Sequence, residues 1–372
     1  MTNSLGLYIH VPFCLKKCNY CDFYSLCPDS DKKGRYIDRV CSEIEKWGTK
    51  TASPVDSLYF GGGTPSLLSE AELSAIISSV KKSFSLTSDA EITCEINPGD
   101  NDKEFLSFAK RLGVNRISVG VQSADDSELN ILGRRHTFLD AVNTINTAKT
   151  FGFSNISADL MIGLPDSNSK TLQKSIEEIL SLDTQHISAY ILKIEQGTPF
   201  SRRELNIPDE DGVADQYLQM CNCFEQAGFE HYEISNFAKK GFQSRHNNRY
   251  WKCQEYIGIG PSAHSFFKGE RFFYPENIDD FLTNPVTVSD GLGGDKKEFV
   301  MLCLRLKQGL IFEEYEHRFG EKINDRFVSL GKLFEKNHLC KCTKEGISLT
   351  NEGMLVSNSV ITELIGELYE DI

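Results

Sequence analysis

Three cysteines near the amino terminus have the spacing of a metal-binding segment. Cys14, Cys18 and Cys21 lie within eight residues, shortly after the apolar run LGLYIHV. Thiolates hold zinc or iron–sulfur clusters, and a cubane of four irons normally takes four of them. Three thiolates would leave one iron open to a substrate or cofactor, so an iron–sulfur cluster is the leading interpretation. Two alternatives stay open, namely a structural zinc site that borrows Cys27 or His10, and a loop of free thiols.

Six strand-then-helix units must position these cysteines. The predicted strands are apolar runs at residues 5–11, 56–60, 90–96, 115–122, 155–163 and 186–194. Segments of helical period separate them, and the first of these opens with Ser69 as an N-cap. This alternation predicts parallel strands with helices outside, either in a doubly wound sheet or in an open barrel.

Polar residues at the strand ends favour the barrel. The stretch GGGTP at 61–65 follows the second strand, Glu95 and Gln122 end the third and fourth, and Asp159 lies late in the fifth. In a barrel these positions meet on the face where barrel enzymes place their sites, whereas an open sheet uses loops from fewer strands. Each residue taken alone also fits a solvated strand end or a turn. Together with the cysteines, they predict one rim around a ligand.

Composition restricts the setting of this site. The formal net charge of -13 argues against general nucleic-acid binding, because a polyanion would be repelled over most of the surface. We expect neither a secretory signal nor a membrane-spanning segment, although peripheral membrane contact stays open. Twelve cysteines, mostly isolated along the chain, favour the reducing cytoplasm.

The cysteine motif C-x3-C-x2-C and the GGGTP stretch resemble those of the radical S-adenosylmethionine (SAM) superfamily. The segments YIHVPFC, CEINPG, GVQSADDSELNILGRRH and ADLMIGLP extend the resemblance to the branch of oxygen-independent coproporphyrinogen III oxidases and heme chaperones. That resemblance implies an incomplete parallel (β/α)6 barrel and a 4Fe-4S cluster held by Cys14, Cys18 and Cys21. It also implies SAM contacts from Tyr8, Tyr20, Gly62, Gly63, Thr64, Glu95, Gln122, Arg134 and Asp159.

Two departures from the oxidase pattern favour the chaperones within this branch. Phe23 stands where the oxidases carry a fourth cysteine, and the segment HNNRYW at 246–251 resembles a heme-chaperone element. The resemblance implies that His246 serves as an axial ligand of heme iron and that Tyr250 and Trp251 contact the porphyrin. Taken without the resemblance, a histidine beside aromatic residues is more often a packing residue.

The function that the resemblance implies is a heme chaperone, which binds heme and passes it to heme-accepting proteins, with a homodimer forming when the cluster is loaded. The alternative is a radical oxidase that decarboxylates coproporphyrinogen, or another radical SAM enzyme that modifies heme. We assign no catalytic residue.

Three regions are expected along the chain: a core barrel at 1–235, a connecting region with the HNNRYW motif at 236–293, and a smaller α+β accessory region at 294–372. The last resembles a winged helix, but it carries more acidic than basic residues, so we expect it to pack on the barrel or meet proteins rather than DNA. Two further cysteine pairs, Cys221 with Cys223 and Cys340 with Cys342, are interpreted as free thiols in preference to a shared metal site.

Overall fold

Six parallel strands form the centre of the main sheet in the computed structural model, which describes residues 4–27, 29–99 and 102–368. In chain order they are β1 (Leu5–Val11), β2 (Val55–Gly62), β3 (Leu86–Ile96), β4 (Arg116–Gln122), β5 (Ile156–Ile162) and β6 (His186–Ile191). Each strand pairs in parallel with the next. The predicted succession of strand-then-helix units is therefore confirmed.

Helices follow the strands and cover their outer face. They are α1 (Ser30–Gly48), α2 (Glu70–Ser83), α3 (Asp102–Leu112), α4 (Asp126–Leu132), α5 (Phe138–Thr150), α6 (Ser169–Ser181) and α7 (Glu210–Gln226). Helix α2 begins with the expected cap, because the side chains of Ser69 and Glu72 each accept a hydrogen bond from the other's backbone N–H. Gly113 and Gly152 follow α3 and α5 at positive φ, which a residue without Cβ adopts at no steric cost.

The barrel strands alternate between aliphatic residues that face the helices and polar residues that face the interior. In β1, Leu5, Leu7 and Ile9 are fully buried on the outer side, whereas Tyr8 points inward to contact His10. The inward positions of the other strands are Ser57, Tyr59, Glu91, Thr93, Glu95, Arg116, Ser118, Ser157, Asp159, His186, Ser188 and Tyr190. The hydrophobic core therefore lies between strands and helices, and the barrel interior is polar.

The region after the barrel extends the same sheet at both edges. Its elements are β7 (Glu230–Glu233), β8 (Asn236–Ala238), α8 (Arg245–Trp251), β9 (Tyr256–Ile259), β10 (His264–Phe267), β11 (Glu270–Phe273), α9 (Ile278–Thr283) and β12 (Val288–Leu292). The sheet runs β12-β11-β10-β9-β1-β2-β3-β4-β5-β6-β8-β7. The expected boundary at residue 235 falls in the turn between β7 and β8, and residues 236–293 supply strands to the barrel sheet.

A smaller α+β unit ends the described chain. It comprises α10 (Lys296–Cys303), β13 (Leu310–Ile311), α11 (Phe312–Phe319), α12 (Asp325–Lys336), β14 (Cys340–Cys342), β15 (Gly346–Leu349), α13 (Asn351–Leu355) and α14 (Ser357–Gly366). Its strands form an antiparallel sheet in the order β13-β15-β14. The unit joins the β7 edge, where the N–H of Ile234 donates to Arg305 O at 3.0 Å and the N–H of Lys307 to Tyr232 O at 3.0 Å. Within the described ranges, no helix has both the length and the apolar character needed to cross a bilayer.

Candidate SAM and cluster site

The cysteine loop leaves β1 at the carboxyl end of the barrel. Cys14, Cys18 and Cys21 are half-buried free thiols. The Sγ of Cys14 lies 3.4 Å from Thr64 Oγ1, and Arg134 Nη1 donates to the Sγ of Cys18 at 3.6 Å. Burial raises the pKa of Cys14, and it raises the pKa of Cys21 to about 11, so these thiols are protonated until a metal takes their protons' place. Three thiols on one loop are the donor set of a cluster with three protein ligands.

The zinc alternative receives no support from the geometry of its two possible extra ligands, His10 and Cys27. Both ring nitrogens of His10 are already hydrogen-bonded, Nδ1 to Tyr8 OH at 3.0 Å and Nε2 to Tyr24 O at 2.9 Å. Cys27 is exposed, with its Sγ 3.8 Å from Leu15 O. Across the described ranges, no three His, Cys, Asp or Glu side chains are gathered so as to hold a metal ion.

One cavity of about 370 Å³ opens beside the cysteine loop and gathers the SAM candidates. Eight of the nine predicted residues line it together with the three cysteines: Tyr20, Gly62, Gly63, Thr64, Glu95, Gln122, Arg134 and Asp159. Tyr8 is not among the lining residues. Its ring lies deeper in the barrel, 6.1 Å from the ring of Tyr59.

Glu95 is the acidic group best placed for a cationic ligand. Its carboxylate accepts a hydrogen bond from Tyr59 OH at 2.7 Å and from the N–H of Gly62 at 3.3 Å. Burial raises the pKa of Glu95 to about 7, and the nearby Asp159 adds to the rise. Gly62 has φ of 102°, and a Cβ there would lie 2.5 Å from the ring of His10. The close approach of this loop to His10 therefore requires glycine at position 62.

Arg134 and Asp159 face the cavity from neighbouring elements. Arg134 follows the left-handed cap of α4 at Gly133, and its Nη2 donates to Asn97 Oδ1 at 2.7 Å and to Gly120 O at 2.6 Å. Asp159 Oδ1 accepts from Ser118 Oγ at 3.1 Å, and burial raises the pKa of Asp159. A guanidinium and two carboxyls in one cavity can pair with the carboxylate and the cationic groups of a zwitterion.

A second cavity, of about 440 Å³, lies on the outer side of the same loop. Cys18, Thr64, Asn97 and Arg134 line both cavities and so form the wall between them. Phe105 and Phe108 of α3 line the outer cavity. The sulfur-bearing loop is thus reached by a cavity from either side.

Sequence reasoning missed three residues of this region. Tyr59 holds Glu95, Asn97 donates to Thr64 Oγ1 at 2.7 Å, and Arg116 lies buried in the interior near Asp159. The signal that could have identified Tyr59 and Arg116 is their inward register, an even number of residues from Gly61 and Gln122. Asn97 directly follows Ile96, the last residue of β3.

His246 lies inside the barrel, beneath the SAM candidates. It is 1% exposed, its Nδ1 is hydrogen-bonded to Ser57 Oγ at 3.0 Å, and its Nε2 to Tyr250 OH at 2.9 Å. Burial and the neighbouring Arg249 lower the pKa of His246 to about 3, so the ring is neutral. Its backbone N–H donates to Glu91 at 3.1 Å. In this arrangement neither ring nitrogen has a lone pair free for iron.

The other two heme candidates lie later in α8 than this histidine. The ring of Tyr250 packs edge-on against Tyr256, with centroids 4.6 Å apart. Trp251 is half-buried at the seam with the carboxy-terminal unit, where the guanidinium of Arg305 lies 6.0 Å from its ring. Its Nε1 is buried without a hydrogen-bond partner among the described residues. The three residues lie in α8 but face different surroundings.

The remaining cysteine pairs are placed in separate elements as free thiols. Cys221 is buried in α7, and the Sγ of Cys223 donates to Gln173 Oε1 at 3.8 Å. Cys340 donates from its Sγ to Gly331 O at 3.0 Å, and Cys342 lies further along β14. The two pairs thus lie in different elements, one in α7 and the other in β14.

Comparison with known proteins agrees with this arrangement. The family model of the radical SAM superfamily matches residues 8–179, and that of the HemN C-terminal domain matches residues 297–356. The solved structure of coproporphyrinogen III oxidase (HemN) from Escherichia coli, described as a radical SAM enzyme, superposes with a TM-score of 0.85. It is 20% identical, over 97% of this chain and 90% of that one, and so establishes the fold alone. Fold and cysteine loop together define a radical SAM protein.

Curated relatives specify the family more closely. The heme chaperone HemW of Bacillus subtilis is 33% identical over 97% of this chain and 99% of its own length. HemW of Mycobacterium tuberculosis is 33% identical over 97% and 95%, respectively. The mitochondrial radical S-adenosyl methionine domain-containing protein 1 of Danio rerio is 31% identical over 98% and 87%. The chain belongs to the HemW family of the radical SAM superfamily, a family that implies a 4Fe-4S cluster and SAM.

Proposed function

We propose that the protein is a heme chaperone, which binds heme and passes it to heme-accepting proteins. The observation that carries the proposal is the joint presence, in one barrel, of the SAM-type cavity and of α8 with its HNNRYW segment. His246 of that segment is separated from Glu95 by the single side chain of Tyr59. The HemW relatives, which are named heme chaperones, support it.

Cys14, Cys18 and Cys21 would hold the cluster in this proposal. Glu95, Asp159 and the backbone of Gly62 would meet the cationic end of SAM, and Arg134 its carboxylate. A reduced cluster bound to SAM supplies one electron that can cleave the sulfonium. The chain's own part is to align the ligand and to exclude water with the rings of Tyr20 and Phe23.

Heme ligation by His246 is part of the proposal, with Tyr250 and Trp251 as contacts for the porphyrin. Because Nε2 of His246 is hydrogen-bonded to Tyr250 OH, ligation requires that this bond breaks and that α8 moves away from the interior. The neutral state of the ring suits metal binding, since a neutral imidazole has one unprotonated nitrogen that can bind iron without first losing a proton. Heme uptake is then coupled to a movement of α8 that opens the barrel interior.

A second candidate function is oxidative decarboxylation of coproporphyrinogen, favoured by the complete SAM cavity and by the fold shared with HemN. Phe23 argues against this function, because the oxidases that the sequence resembles carry cysteine at that position. The side chain of Phe23 is 63% exposed at the cavity. The chaperone is therefore the better-supported function.

One anaerobic experiment separates the two functions. The cluster-reconstituted protein is titrated with heme, and then incubated with SAM, a reductant and coproporphyrinogen. We expect stoichiometric heme binding and no decarboxylated porphyrin. Multiple turnovers of decarboxylation would instead identify an oxidase, and absence of heme binding would remove the chaperone proposal. Transfer of bound heme to an apo-hemoprotein, followed by its absorbance, measures the delivery step.

The setting completes the proposal. Twelve free cysteines suit a reducing cytoplasm, and the formal net charge of -13 disfavours nucleic acid as a partner. Dimerisation of the cluster-loaded protein, followed by light scattering with and without reconstitution, is expected from the family resemblance. The carboxy-terminal unit from residue 294 onward is proposed to contact the proteins that accept heme.

A further inference from the structure

Arg116 is a fully buried cation in the polar interior of the barrel. It opens β4, is 1% exposed, and belongs to the largest side chains without solvent contact. A buried guanidinium is costly unless its N–H groups are paired or hydrated. Its retention beneath the SAM cavity therefore calls for a reason.

Two neighbouring polar atoms in this interior lack partners. Nε of Arg116 has no hydrogen-bond acceptor among the described residues. Oγ1 of Thr93, which is 0% exposed, also has no hydrogen-bond partner there. Thr93 and Arg116 are paired in register on β3 and β4, so their side chains lie on the same face of the sheet. Such a pair of unsatisfied groups marks a place for ordered water between the strands.

Carboxyls of two different sites surround this cation. By the register of β3 and β4, Thr93 lies beside Arg116, so Glu91 is one inward position before it and Glu95 one inward position after it. Ser118, the next inward residue after Arg116, donates to Asp159, which lines the SAM cavity with Glu95. Glu91 accepts the backbone N–H groups of Arg245 and His246 at 3.1 Å each and so holds the start of α8. The negative charge of Glu91 therefore offsets part of the positive potential that Arg116 exerts on Glu95 and Asp159.

Other titratable groups cannot replace Arg116. The buried groups that face Glu95 and Asp159 are the tyrosines Tyr8, Tyr20, Tyr59, Tyr190 and Tyr250 and the arginines Arg116 and Arg134. The same cavity is also lined by the exposed lysines Lys16, Lys17 and Lys193 and by Asp22 and Glu195. Burial raises the pKa of these tyrosines, so they are neutral hydrogen-bonding groups. Arg134 is held at the cavity wall by Asn97 and Gly120. The positive charge beneath Glu95 comes from Arg116.

We propose that Arg116 is a positioning residue of the SAM cavity, whose fixed charge acts through ordered water to keep Glu95 and Asp159 as carboxylates facing a cationic ligand. The inference rests on the proposed SAM binding and assigns it a determinant outside the cavity lining. Because Glu91 lies near the same cation, a change in the charge of Glu91 would change the ionisation of Glu95 and Asp159. The SAM site is thus linked electrostatically to the residue that holds α8.

The test measures the dissociation constant of SAM for the full-length, cluster-reconstituted protein by equilibrium dialysis across pH 6–8.5. Wild-type affinity should rise through neutral pH as Glu95 loses its proton. Arg116→Met should move the midpoint upward by about one pH unit, which weakens binding about fivefold at pH 7 and approaches about tenfold at the acid end of the range. Arg116→Lys should restore most of the wild-type profile.

Glu91→Gln supplies the opposite prediction, since it removes the competing carboxylate while its amide oxygen can still accept from α8. The midpoint should move downward. If Arg116→Met does not fold, Arg116→Met/Glu91→Gln removes one buried charge of each sign, and its midpoint should lie above that of Glu91→Gln. The matched control is Arg35→Met, which removes an arginine from the exposed surface of α1 and should leave the profile unchanged.

Three outcomes overturn the inference. A loss of affinity by the same factor at every pH, with an unmoved midpoint, would mean that Arg116 only supports the fold. Absence of SAM binding by the wild-type protein at all pH values would remove the cofactor proposal, and this inference with it. If the wild-type protein binds SAM and Arg116→Met binds it with the same affinity and the same midpoint, only the role of Arg116 is refuted, and the cofactor proposal stands.

Discussion

The imidazole of His246 stacks on the phenol ring of Tyr59, with ring centroids 5.2 Å apart. The hydroxyl of the same tyrosine donates to Glu95 at 2.7 Å. One side chain therefore contacts both the acidic wall of the SAM cavity and the histidine proposed to bind heme. The two sites are separate in the chain, but a change in either can reach the other through Tyr59.

Tyr59→Phe should weaken SAM binding roughly fivefold to tenfold at neutral pH, because Glu95 loses a buried hydrogen bond that favours its carboxylate. Equilibrium dialysis of the reconstituted protein measures this change. Tyr256→Phe is the matched control, since it removes the hydroxyl of another buried tyrosine, whose partner is Arg271. Equal affinity of Tyr59→Phe and wild type would show that the Tyr59 hydroxyl does not support the site.

Tyr250→Phe and His246→Ala should change heme binding in opposite directions. Removing the Tyr250 hydroxyl frees Nε2 of His246, so heme titration should saturate at lower heme concentration. His246→Ala should weaken binding and leave the cluster chromophore unchanged. The control is His264→Ala, which removes an exposed histidine from β10. An unchanged titration in His246→Ala would remove the ligand assignment.

Cys18→Ala should abolish the iron–sulfur absorbance and leave heme binding largely intact. The reason is that the cysteine loop lies at the mouth of the barrel, whereas His246 contacts Ser57 in its interior. Absorbance after anaerobic reconstitution measures the first effect and heme titration the second. Cys27→Ala removes an exposed thiol near the same loop and should keep the cluster. Parallel loss of cluster and heme in Cys18→Ala would contradict the independence of the two sites.

Glu233 gives the protein a pH-dependent stability of defined sign. It is fully buried, and burial raises its pKa to about 7. The folded state therefore binds a proton at Glu233 more tightly than the unfolded chain does. The stability that this proton contributes is present below the pKa of the glutamate in the unfolded chain and is lost as pH rises through about 7. At full ionisation the loss approaches about 3 kcal/mol. Glu233→Gln should thus gain in melting temperature relative to wild type between pH 5.5 and pH 8, measured by thermal melts in matched buffers. A difference that is the same at both pH values would contradict the raised pKa.

The barrel and most of its rim could be predicted because their signals are local. Buried strands of a parallel sheet are short apolar runs, and the residues that follow them share one end of the barrel. Glu95, Gln122 and Asp159 lie in one cavity for that reason. The last predicted strand extended to residue 194, but β6 ends at Ile191, which pairs with Ile162, the last residue of β5.

The positions of Tyr8 and His246 could not be predicted, because strand alternation gives the face of a side chain and not its depth or its partner. Tyr8 faces inward as expected of a ligand-binding residue, yet the ring of Tyr59 and the bond to His10 keep it below the cavity. The burial of His246 depends on α8 packing against β2, about 190 residues earlier in the chain. A motif gives no information on such a contact.

The polar interior of the barrel separates two properties that usually compete. In most (β/α) barrels, branched aliphatic side chains fill the centre, so a change there disturbs packing. Here Leu58, Ile117 and Leu160 carry the packing on the outer side of the strands, while Ser57, Ser118 and Asp159 occupy the inner side. The two faces of each strand are thus open to independent variation, and new ligand preferences can arise from inward substitutions without rebuilding the shell that keeps the chain folded.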